Sequence, residues 1–168
     1  MEPFAHVNML LATLAKRYGI AELRLNDADM AALRLADNTE LTFEYVVARG
    51  KLFAYVPLRE VPPQPATGSA MLACALQLNC MESGVTDALI ALDRYGASLL
   101  LQIGMPVAGL DVERLDGSLQ ALLGQIGGIR HRLDAALDAK SAAVPATARS
   151  APSASLLLLK SRPAGQSH

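Results

Sequence analysis

The residues from Ala70 to Leu78 read AMLACALQL, and Gln77 is the one strongly polar side chain among them. Pro62, Pro63 and Pro65 interrupt the pattern before them, Thr67 or Ser69 can cap a helix, and the helix so predicted reaches about Cys80. Around its axis Leu72, Ala75, Leu76 and Asn79 share one face, while Met71, Cys74 and Leu78 occupy the opposite side. A helix that is apolar all round requires cover all round. A single small sheet covers one side only, so the other falls to a second copy of the chain. The expected assembly is a homodimer.

The flanking patterns supply the sheet. An amphipathic helix is predicted from about Pro3 to Tyr18, with Phe4, Val7, Leu11, Leu14 and Tyr18 as its buried stripe, Gly19 as its C-terminal cap and Met9 exposed on the far side. Between Ala32 and Leu58 the period changes to two. Leu33 and Leu35 precede an Asp37-Asn38 turn; Leu41, Phe43, Tyr45 and Val47 follow; Gly50 marks a second turn before Leu52, Ala54, Val56 and Leu58. This is a three-stranded antiparallel meander. A two-residue Arg49-Gly50 turn puts Phe43 and Tyr45 on the face of Ala54 and leaves Val46, Phe53 and Tyr55 on the other, and it is preferred because it makes one face wholly apolar. After Glu82-Ser83-Gly84 comes a hairpin from Asp87 to Asp93 and Ser98 to Met105, turning at Arg94-Tyr95-Gly96. Asp111 opens a last helix with Leu115, Leu119, Leu122, Ile126, Ile129 and Leu133, in which Gly124, Gly127 and Gly128 permit close packing or a bend. The fold class is α+β, in the order α-β-β-β-α-β-β-α.

At 168 residues the chain suits one domain. Every acidic residue lies at or before Asp138, whereas Lys140, Arg149, Lys160 and Arg162 follow it. The reading is an acidic body over 1–138 and a basic, Ala-, Ser- and Pro-rich mobile tail over 139–168. Leu156 to Leu159 is the tail's one apolar run, too short to span a bilayer. No export signal is visible before Lys16 and Arg17, no membrane span is expected, and the net charge of -1 gives no reason to expect nucleic acid. Cys74 and Cys80 lack a C-x-x-C spacing and read as buried, reduced thiols of a cytoplasmic protein.

Catalytic chemistry leaves no trace. The sequence has no G-x-G-x-x-G after a strand, no G-x-x-x-x-G-K, no G-x-S-x-G and no H-E-x-x-H. His6, His131 and His168 stand far apart, and His131 lies between Arg130 and Arg132 in what reads as a solvated basic turn. Cys74 in an apolar helix is a poor nucleophile. No catalytic residue, metal site or cofactor is expected, and the chain is read as a binding protein rather than an enzyme.

The order of elements in an acidic body of this size resembles the class I type III secretion chaperones, the Tir-chaperone family. The resemblance rests on Leu76-Gln77-Leu78-Asn79, on Ala88-Leu89-Ile90-Ala91-Leu92-Asp93 leading to Gly96, on Leu99-Leu100-Leu101-Gln102, Met105-Pro106 and Leu110-Asp111, and on Leu52-Phe53-Ala54-Tyr55-Val56-Pro57-Leu58. It covers roughly Phe4 to Leu137. It implies a homodimer in a bacterial cytoplasm that binds the N-terminal, non-globular segment of one or more secreted effectors without ATP and keeps it export-competent, with the secretion ATPase as a further contact. It also implies Met71, Cys74 and Leu78 at the dimer contact, and Met9, Val46, Phe53 and Tyr55 in client-binding patches. The rival reading is a small dimeric regulatory scaffold that binds a folded GTPase or kinase partner, distinguished by whether the partner is folded or extended.

Overall fold

The computed structural model describes residues 2–81 and 88–143. Helix α1 (Pro3–Arg17) leads into strands β1 (Met30–Arg34) and β2 (Glu40–Val46), a 3-10 turn (Val47–Arg49) and strand β3 (Lys51–Glu60). Helix α2 (Pro65–Met81), the hairpin β4 (Ala88–Leu92) and β5 (Ser98–Pro106), and the long helix α3 (Val112–Ala143) complete it. The five strands form one antiparallel sheet in the order β1-β2-β3-β5-β4, with β3 at its centre. The α+β class and the order of elements are as the periodicities predict.

One face of the sheet meets the helices. Leu41, Phe43 and Tyr45 of β2, Leu52, Ala54 and Val56 of β3, and Leu99, Leu101, Ile103 and Met105 of β5 form a single buried cluster with residues of all three helices. Alternation along each strand puts Val46, Phe53, Tyr55, Leu100 and Gln102 on the other face, which no helix among the described residues covers.

Two charged clamps fix α3 against the rest. Asp116, itself buried, accepts from the Arg17 guanidinium at 2.8 Å and from the Tyr18 hydroxyl at 2.6 Å, tying the end of α1 to α3. Further along, Arg59 of β3 meets both carboxylate oxygens of Asp134 at 2.7 Å, and Arg130 Nη2 donates to the Pro57 carbonyl at 2.8 Å. Bidentate pairs of this kind set the direction of the helix as well as its distance.

Several expectations are corrected. The β2–β3 connection is a four-residue loop, Val47 to Gly50, not the two-residue Arg49-Gly50 turn. Val46 pairs Lys51 and Phe43 pairs Ala54, so the register moves by two and the predicted faces survive. Gly50, at φ 58, supplies the left-handed residue that closes this loop. Strand β1 begins at Met30 and ends before Leu35. In α1 the buried stripe is Val7, Leu10, Leu11, Leu14 and Ala15, while Phe4 and Tyr18 are exposed, because Tyr18 turns its hydroxyl to Asp116. Cys74 is half-buried and Cys80 exposed, so neither is a core thiol. Helix α3 runs to Ala143, and a side chain at Gly124, Gly127 or Gly128 would meet nothing among the described residues, so within them these glycines serve no close packing. The Glu82-Ser83-Gly84 turn and Leu156 to Leu159 lie outside the described residues.

Candidate functional site

Helix α2 is the first apolar surface. Its buried side chains are Met71 and Ala75, which face the core of the same chain. The resemblance implies Met71 at the contact with a second copy; at 1% exposure it is already committed to the protomer. The outward side of the helix carries Leu76, 66% exposed, instead. Leu78 and Cys74 are half-buried, and the Cys74 thiol points to the Arg132 carbonyl at 3.7 Å, where α2 crosses α3. Cys74, Leu76, Leu78 and Cys80 line a groove of about 1030 Å³ with His131, Arg132 and Ala135 of α3. The orientation of α2 is not legible from its own residues, because a helix without a polar side shows no preferred face.

The C-terminal end of α2 is fixed by Asn79. Its amide donates to the Ile90 carbonyl at 2.9 Å, and its Oδ1 accepts from the Ile90 N–H at 2.7 Å. One side chain thus reproduces a strand pairing and holds β4 against the helix. Asn79 belongs to the Leu76-Gln77-Leu78-Asn79 stretch, and a polar residue in an apolar helix is the signal by which sequence could have found it.

The uncovered sheet face is the second surface. Phe53 pairs Gly104 across β3 and β5, and the ring lies over the glycine: a Cβ at Gly104 would sit 2.7 Å from Phe53 Cε1. Gly104 therefore lets the ring lie flat on the sheet. Tyr55, two residues along, stands between Thr42 and Gln102, and burial followed by the charges of Glu44 and Glu40 pushes its phenol pKa up. Val46 lies on the same face one strand away. The structure brings Val46, Phe53 and Tyr55 together and leaves Met9 apart: at 44% exposure Met9 is on the outer side of α1, across the sheet from the others.

No group of His, Cys, Asp and Glu able to hold a metal is present among the described residues, and no helix among them is long and apolar enough to cross a membrane.

The model of the Tir chaperone protein (CesT) family matches residues 9–130. The chain belongs to this family. The match takes in all five strands, the whole of α2 and most of α1 and α3. Among solved structures, a chain of the ExsC-ExsE complex superposes with a TM-score of 0.67 at 21% identity, covering 79% of this chain and 97% of its own. A chain of the HopA1-SchA chaperone-effector complex gives 0.60 at 20% identity, covering 75% and 94%. A chain of the heterodimeric ExoU-SpcU complex from the type III secretion system of Pseudomonas aeruginosa gives 0.56 at 24% identity, covering 77% and 98%. No curated protein matches the chain significantly by sequence.

Proposed function

We propose that this protein is a bacterial, cytoplasmic type III secretion chaperone. As a homodimer it binds the N-terminal, non-globular segment of one or more secreted effectors and keeps it soluble and export-competent, with no catalytic step and no use of ATP. The observation that carries this reading is the family match over 9–130, which spans nearly the whole described fold. One similar solved chain comes from a complex named as chaperone and effector and another from a heterodimeric complex of a type III secretion system, and they support an effector as partner.

The geometry supports a division of labour between the two surfaces. The outward side of α2, through Leu76, Leu78 and Cys74, contacts the second copy, since burying one exposed leucine contributes about 1.5–3 kcal/mol. The uncovered sheet face, with Phe53, Tyr55 and Val46, and separately Met9 on α1, takes the client, whose apolar side chains find flat aromatic surface there. The secretion ATPase is a later contact on the same route.

The test is to purify the tagged protein from its native cytoplasm, digest the complex lightly and identify what survives by mass spectrometry. The expected result is a protected N-terminal segment of a secreted protein bound to two copies of this chain. An intact folded partner, protected throughout, would favour the regulatory scaffold and reduce the family likeness to one of fold.

A further inference from the structure

The uncovered sheet face carries a carboxylate without a counter-charge. Glu44 stands between Met30, its neighbour on β1, and Phe53, its neighbour on β3, so both of its cross-strand partners are apolar. It is half-buried, and no Lys or Arg among the described residues forms an ion pair with it. Glu40, on the same face, is exposed and lies directly opposite Arg34. A carboxylate that gives up part of its hydration among apolar neighbours is stabilised only when a cation or donor replaces the lost water.

The ring beside Glu44 suits a flat cation. Phe53 lies over Gly104 of β5, on the side away from β2, and so turns a ring face outward. Tyr55, two residues along, adds a second ring; burial and then the charges of Glu44 and Glu40 push its phenol pKa up, so it stays neutral beside them. Directly opposed side chains start about 5 Å apart, which puts a group stacked on the Phe53 ring within reach of the Glu44 carboxylate.

We propose that the client segment held on this face presents an arginine, whose guanidinium stacks on Phe53 and donates to the Glu44 carboxylate. The inference rests on the chaperone reading and names the chemistry which that site selects. A guanidinium is planar, weakly hydrated and forked, so it stacks and donates at once, whereas an ammonium is a strongly hydrated point charge. The chain up to Asp138 is net negative, and its field draws a basic segment toward this face.

The probe is a blocked peptide, Leu-Ser-Arg-Ser-Leu-Ser, compared with twins that carry citrulline or lysine in place of arginine. Each is titrated into the full chain with isotope-labelled Phe and Tyr rings, read by NMR. The chain has three Phe and four Tyr, and the fully buried Phe43 reports an intact fold. The Phe53 and Tyr55 signals should move, with a dissociation constant for the arginine peptide about tenfold below that for citrulline and with lysine between them. Glu44→Gln should bring arginine and citrulline to within about twofold, and Phe53→Leu, read at Tyr55, should cut the preference likewise; Glu40→Gln should keep it. Lysine bound as tightly as arginine, a preference that survives Glu44→Gln, or no movement of Phe53 and Tyr55 with any peptide would overturn the proposal. So would movement of these two signals when the free protein is diluted, which assigns the face to a second copy. Each of these failures leaves the chaperone reading standing, because capture of an extended effector segment tests that reading without reference to Glu44.

Discussion

Helices α1 and α2 are both rich in apolar residues, yet the fold uses them differently. In α1 the apolar residues gather on one side, so that Val7, Leu10, Leu11 and Leu14 are buried while Thr13, Lys16 and Arg17 meet solvent. In α2 Met71 and Ala75 satisfy the protomer, and Leu76 is left two-thirds exposed on a helix with no charged residue at all. The first helix commits most of its apolar side chains to its own fold and leaves Phe4 and Met9 near its start and on its outer side exposed. The second commits fewer, and surplus apolar surface on a small domain is a feature of association rather than of folding.

The largest effect that would sharpen this contrast belongs to α1. Leu11→Ala deletes a fully buried side chain and should destabilise the protomer by about 2–5 kcal/mol in urea unfolding, with the subunit mass in sedimentation unchanged under native conditions. On α2 the outcome should be reversed. Leu76→Asp should raise the dimer dissociation constant at least about tenfold, since the lost burial is about 1.5–3 kcal/mol and a carboxylate would enter an apolar contact. Unfolding measured below that constant should move by no more than about 0.5 kcal/mol, as for an exposed position. A dimer of unchanged affinity would place Leu76 outside the contact and break the comparison. Leu78→Asp is a blunter tool, because Leu78 also packs against the core of its own chain.

The same contrast explains what can be read before any coordinates. Strands β2, β3 and β5 announce themselves by alternation over long runs, and their buried residues Leu41, Phe43, Leu52, Ala54, Val56, Leu101 and Ile103 follow directly from that period. The β2–β3 register does not, since loop length is set by the turn that Val47 to Gly50 adopts; the faces are still legible because a shift of two restores the same parity. The shared outward face of Phe53, Tyr55 and Val46 is legible for that reason, whereas the pattern of α1 marks Met9 as exposed but not as remote from them. The orientation of α2 is hidden: Met71 and Leu76 are chemically equivalent from the sequence, and only the docking of Asn79 onto Ile90 and of Cys74 onto α3 decides which one points inward.

The clamp between α1 and α3 gives the smallest of the expected effects, and its sign follows from charge. Hydrogen bonds from Tyr18 and then Arg17 hold the Asp116 carboxyl below its ordinary value of 3.8, and Glu113 adds to the attraction on Arg17 at 2.9 Å. A carboxyl depressed in the native state contributes stability that is fully present above its unfolded pKa and is lost as the pH falls through the lower native value. Asp116→Asn should therefore lower the melting temperature by a few degrees at pH 7. The gap to the wild type should narrow as the pH falls below the ordinary carboxyl value of 3.8 and close only where the wild-type carboxyl is protonated as well. Melting curves from pH 7 to pH 2 read this directly. A gap that persists at the acid end would mean that the substituted amide disturbs the packing of α1 on α3 and that the charge is incidental. A gap that closes would establish that α1, unlike α2, is held in place by polar contacts within its own chain as well as by its buried stripe.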